Sequence, residues 1–125
     1  MLRLILGLFL FLTVAIPVAA AERHVPAEIG ALATAIAGAL PGDVLTLAPG
    51  LHAGPVTLDR ALTLDGQGTA TIDAGSTGSV ITITGSDITV RGLTLIGSGS
   101  DHDAIDSGVQ ITRSAARVLV EDNDI

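Results

Sequence analysis

Short runs of alternating Val, Leu and Ile, returning at intervals of a few tens of residues, restrict this chain more than any other feature. LTLDG at Leu62 returns as ITVRG at Ile88, an offset of 26. VRGLTL at Val90 returns as VEDNDI at Val120, an offset of 30. Alternation with a period of two marks a strand with one apolar face. So short a strand cannot bury that face alone, whereas copies stacked on one another build a continuous core. The period is irregular because polar stretches of different length separate the runs, the longest being GSGSDHDAIDSG at 97–108. This combination predicts an all-β solenoid of short strands. An antiparallel sandwich would also alternate, but it needs recurring tight hairpins, and Asp65-Gly66 is the one dipeptide that fits.

The inward positions follow from the alternation. They are Leu45, Leu47, Val56, Leu58, Leu62, Leu64, Ile72, Ile81, Ile83, Ile88, Val90, Leu93, Leu95, Val109, Ile111, Val118, Val120 and Ile125. The intervening Thr residues are β-branched and tolerate water, so they belong on the outer face. Asn123 occupies the place that Leu93 holds one repeat earlier. It is either a turn residue or the start of an Asn ladder continuing into a further coil.

Ahead of the strands the period is helical. In AEIGALATAIAGAL, residues 27–40, Ile29, Leu32, Ile36 and Leu40 share one face, and Pro41-Gly42 ends the segment. Gly30 and Gly38 weaken it by about 1 kcal/mol each relative to Ala. A helix this weak and this apolar needs a surface to lie on. It is expected to cover the open end of the solenoid, where an unpaired sheet edge would otherwise be exposed. At the other end VLVEDNDI stops inside a strand pattern. The chain is therefore expected to be the N-terminal part, residues 22–125, of a longer repeat domain, and to aggregate or fold poorly in isolation.

The start of the chain reads as a leader. Met1 and Arg3 precede an apolar run from Leu4 to Val14, and small residues follow Pro17. Ala19 and Ala21 form the small pair that a signal peptidase accepts, which puts the junction between Ala21 and Glu22 and makes residues 1–21 a signal peptide. The run is short for a membrane span and carries no stop-transfer charges. With Arg3 removed, the net charge moves from −7 to −8. A surface so acidic disfavours nucleic acid and anionic membranes. There is no Cys, hence no disulfide and no thiolate ligand, and the two Phe, Phe9 and Phe11, both lie in the leader. The remainder has no aromatic ring on which a base or a sugar could stack.

Candidate chemistry is sparse. The three His are His24, His52 and His102. His24 falls just after the leader, where a disordered tail is expected, and His52 sits beside a turn as a surface or packing residue. Asp101, His102, Asp103 and Asp106 form the one dense polar cluster. Carboxylates suit calcium and an imidazole would admit copper or zinc. A solvated loop and a partner contact are the other readings of the same residues.

AIAGALPGDVLTLAPGLH at 35–52 resembles the opening of right-handed parallel β-helix proteins of the pectate-lyase type, with Leu51-His52 where those carry an extended-tyrosine pair. GPVTLDRALTLDGQGTATIDAG at 54–75, TVRGLTLIGSG at 89–99 and AIDSGVQITRSAARVLVEDNDI at 104–125 resemble a family within that superfamily. It is the family of periplasmic copper-processing accessory proteins of nitrous oxide reductase maturation. The resemblance implies a right-handed parallel β-helix with an N-terminal capping helix, exported to the periplasm and not itself an enzyme. It implies work with an inner-membrane ABC transporter in delivering copper to nitrous oxide reductase, or in assembling its copper–sulfur centre. Two other functions suit the same fold. A polysaccharide lyase or hydrolase would use acidic and basic side chains on an outer strand face, where Arg91 and Glu121 fall together, but its acid and base need a defined separation. A structural or adhesive surface solenoid would need a long repetitive continuation.

Overall fold

The computed structural model describes residues 20–125; all but the last two residues of the signal peptide expected at 1–21 lie outside the described residues. Strand β1 (Glu22–Val25) is followed by helix α1 (Ala31–Ala37), and eight strands come after it. They are β2 (Asp43–Leu47), β3 (Gly50–Ala53), β4 (Val56–Leu58), β5 (Leu62–Asp73), β6 (Ile81–Ile83), β7 (Ile88–Ile96), β8 (Val109–Ile111) and β9 (Val118–Glu121). The strand pairs are parallel throughout. The chain is a parallel β-solenoid of about three coils, with a single short helix among the described residues.

Each coil has three faces. The first stacks β1, β2, the start of β5, the start of β7 and β9. The second stacks β3 on the end of β5 and that on the end of β7, with Thr94 bridging to Asp124 beyond. The third stacks β4, β6 and β8. Leu62 pairs with Ile88 and Val90 with Val120, the two offsets that the repeat displays. The register is set because each step brings apolar residue over apolar residue, and a slip by one would turn every such face outward. Thr63 lies over Thr89, Thr57 over Thr82 and Thr71 over Thr94, so the outer face carries stacked threonines.

Between Asp65 and Ala70 the chain takes a longer corner than its neighbour, and the register shifts there. Gly66 turns this corner against the next coil: a Cβ at Gly66 would stand 2.5 Å from Leu93 Cδ2 and closer still to the Gly92 carbonyl. Only hydrogen fits. One coil further, the Asn123 amide closes the equivalent corner. Its Nδ2 donates to the Val90 carbonyl at 3.0 Å, and its Oδ1 accepts the Leu93 N–H at 3.0 Å. These are backbone groups at a break in the ladder, where strand pairing leaves them without partners. Asn123 thus turns back to the preceding coil's backbone.

The core runs down the solenoid axis. From Leu45 to Leu95 every position expected to face inward is buried. The last five depart from expectation. Val109, Val118 and Val120 are half-buried, and Ile111 and Ile125 are exposed, because no coil lies on their far side in this chain.

The capping segment differs most from its expected form. The helix covers 31–37 instead of 27–40. Gly30 takes a left-handed conformation, φ 81°, which a continuing helix cannot accommodate, and Gly38 ends the helix on the other side. Leu32 and Ile36 are buried, but Ile29 is 99% exposed and Leu40 44% exposed, so the apolar face spans one turn. The Arg60 side chain closes the far end, its Nη1 donating to the carbonyls of Ala37 at 3.2 Å and Ala39 at 3.1 Å. Residues 22–25 are the second correction. They form β1, paired with β2, and not a disordered tail, so the first strand of the sheet is β1 and His24 belongs to it.

Candidate functional site

The polar loop between β7 and β8 projects from the third coil. Asp101, His102, Asp103, Ala104 and Ile105 are exposed, and Asp106 is half-buried. Two of its carboxylates bond to the loop's own backbone. Asp101 Oδ1 accepts the N–H groups of Asp103 at 3.0 Å and Ala104 at 3.1 Å, and Asp106 Oδ2 accepts the Asp101 N–H at 2.9 Å. These are turn-forming bonds of the kind short acidic side chains favour. Ser79 anchors the loop's base from the coil before. Its buried hydroxyl accepts the Ser107 N–H at 3.1 Å and lies 3.3 Å from the Ile105 carbonyl. The four candidate residues therefore share one loop, and two of its three acids, Asp101 and Asp106, are turned to its amides. Among the described residues, no three His, Cys, Asp or Glu side chains come together as a metal-holding group.

Charges also line one outer face. Asp65, Arg91 and Glu121 occupy matching positions in three successive coils, and Arg91 Nε bonds Asp65 Oδ2 at 3.1 Å. Arg91 and Glu121 thus fall on the same face, as their offset requires. At the corner before it, Arg117 reaches both oxygens of Asp87 from one coil below, with Nη2–Oδ2 at 3.0 Å. The Arg117 guanidinium holds the Asp87 carboxyl below its ordinary range, and Arg60 does the same for Asp59. Both pairs are exposed, so water and salt screen them and they add little to stability.

The most enclosed polar groups lie at the N-terminal end, and the sequence pattern did not single them out as a pair. His52 is fully buried beneath the cap, which makes it a packing residue. Its Nε2 lies 2.8 Å from the Ala48 carbonyl, while its Nδ1 has no partner. Asp43 is also fully buried. Oδ1 accepts the Ala21 N–H at 3.0 Å, and Oδ2 accepts the Leu40 N–H and Arg23 Nε, both at 2.9 Å. The two backbone N–H groups, and then the Arg23 guanidinium, hold its carboxyl below the ordinary range against the opposing effect of burial. The signal that could have found this group is its position: an acid that opens an apolar strand, with an arginine, Arg23, on the strand stacked against it.

Shallow depressions flank this end. One runs between β1 and the β2–β3 turn, lined by His24, Pro26, Thr46, Pro49 and Gln67. Another lies beside the cap, lined by Ala27, Ile29, Leu51, His52 and Asp73. Among the described residues no helix is long and apolar enough to cross a membrane.

No protein-family model matches the chain, and no solved structure matches it. Eighty residues, 64% of the chain, are 32% identical to a Pseudomonas aeruginosa protein described as a probable ABC transporter binding protein, NosD. That stretch is 19% of the relative's length, so the chain spans less than a fifth of the protein it matches.

Proposed function

We propose that this chain is part of a periplasmic β-helix accessory protein of nitrous oxide reductase maturation. It acts with an inner-membrane ABC transporter, in copper delivery or in assembly of the reductase's copper–sulfur centre. The observation that carries this reading is the 32% identity over 80 residues to the protein described as a probable ABC transporter binding protein. The parallel solenoid and the leader-like start at Met1–Ala21 agree with it. In this reading copper is cargo. In it, this part of the protein acts as a rigid scaffold whose outer faces meet a partner. It does not itself catalyse a reaction.

Deletion of the full-length gene tests the proposal. Cells grown anaerobically on nitrate should still make the reductase polypeptide but should accumulate nitrous oxide instead of reducing it. The purified reductase should lack the optical and magnetic signature of its copper–sulfur centre, and a plasmid copy of the gene should restore both. A deletion strain whose reductase keeps an intact centre overturns the reading.

A further inference from the structure

The alanine run before β1 offers a signal peptidase more than one place to cut. Ala19 and Ala21 are a small pair three and one residues ahead of Glu22, and Val18 and Ala20, an aliphatic and a small residue, are placed the same way ahead of Ala21. The two products differ in what they leave to the folded domain. Ala21 is engaged on both sides. Its N–H donates to the buried Asp43 carboxylate at 3.0 Å, and its carbonyl accepts the Val44 N–H at 2.9 Å as the first rung of the β1–β2 ladder. A cut after Ala21 removes both bonds. It takes from Asp43, fully buried while Ala21 is in place, one of the three donors that hold its carboxylate, and leaves the edge of the sheet one rung short. A cut after Ala20 keeps both bonds and turns the Ala21 amide into an ammonium group next to the carboxylate. Charge-assisted bonds of this kind are shorter and roughly twice as strong as neutral ones. The charge balance at Asp43 points the same way, because its one cationic partner, Arg23, is 44% exposed and shares its charge with solvent.

We infer that the protein is processed between Ala20 and Ala21, and that the new α-ammonium group of Ala21 locks onto Asp43 as the domain folds. The step is a hydrolysis. The Ala20–Ala21 peptide bond breaks, the hydroxyl of water joins the Ala20 carbonyl carbon, and the Ala21 nitrogen leaves protonated. The N-terminus becomes a structural part that exists only after export, so maturation completes the capped end of the solenoid. This inference rests on the export assumed in the proposed function, and it moves the junction one residue upstream of the Ala21–Glu22 site expected from the sequence.

The test is to express the full-length gene with its own leader in a Gram-negative host, recover the protein from the periplasm, and determine its N-terminus by sequencing and intact mass. The expected start is Ala-Glu-Arg-His. A start at Glu22, or at any other residue downstream of the leader, leaves export standing and overturns the junction. A chain that retains Met1 in the cytoplasm overturns both. The lock is tested separately on mature protein prepared to begin at Ala21, at Glu22, or at an N-acetylated Ala21. The free Ala21 form should favour folding by about tenfold over the Glu22 form, the scale of a hydrogen bond between charged groups. Acetylation keeps the amide but removes the charge, and it should give back part of that gain. Equal stability of the Ala21 and Glu22 forms overturns the lock.

Discussion

Asp43 shows how one residue can organise an end of the molecule. A carboxylate without solvent is tolerated only when its oxygens are satisfied, and here two backbone N–H groups and a guanidinium satisfy them. Its folded value is depressed, so the stability it lends is fully present above the ordinary carboxyl value, about pH 4, and is lost as the pH falls through the lower folded value. In Asp43→Asn one oxygen becomes an NH2 group facing either the Ala21 N–H or the Leu40 N–H and Arg23. The variant should unfold at lower denaturant at pH 7, and the gap from the parent should narrow as both are taken below about pH 4. A gap that stays constant down to pH 2 would show that the charge of Asp43 contributes nothing.

At the scale of elements, the cap is one helical turn of contact and not three. Seven residues are too few to be stable alone, so α1 exists because Leu32 and Ile36 dock on the first coil and Arg60 closes its last carbonyls. Leu32→Ala should cost about 2–5 kcal/mol in a denaturant titration, as for other buried leucines. Ile29→Ala should stay within about 0.5 kcal/mol, the usual range for a surface substitution. The even helical spacing of Ile29, Leu32, Ile36 and Leu40 would instead assign equal losses to both. The periodicity located the helix correctly, but it could not reveal that Gly30 adopts φ 81°, because glycine's conformation is chosen by the coil that the chain must reach next.

For the molecule as a whole, stability is a sum over coils and the contacts between them. The middle coil has neighbours on both sides, while the outermost strands have one. Ile72, at the centre of β5, is fully buried, whereas Ile111 in β8 is 52% exposed. Ile72→Ala should cost about 2–5 kcal/mol and Ile111→Ala less than about 1 kcal/mol in the 125-residue chain. Amide exchange should be slowest in β5 and the start of β7 and fastest in β9. Uniform protection along the axis would mean that the coils melt as one unit.

The alternating pattern by itself marked most of the strands, their apolar faces and two of the stacking offsets, because a parallel coil can bury its side chains only over like side chains, but it missed β1 and β3. Leu62 over Ile88 and Val90 over Val120 were legible for that reason. Contacts between residues without a shared period were left to the tertiary structure. They include β1 lying on β2, Asp43 gathering Ala21, Leu40 and Arg23, and His52 sealed under the cap. The loop residues Asp101, His102, Asp103 and Asp106 were visible as a cluster, yet only the folded loop decided that two of its carboxylates face its own amides. Periodicity encodes what every coil repeats, whereas each of these contacts occurs once, and it exists because folding brings together groups that no pattern in the sequence relates.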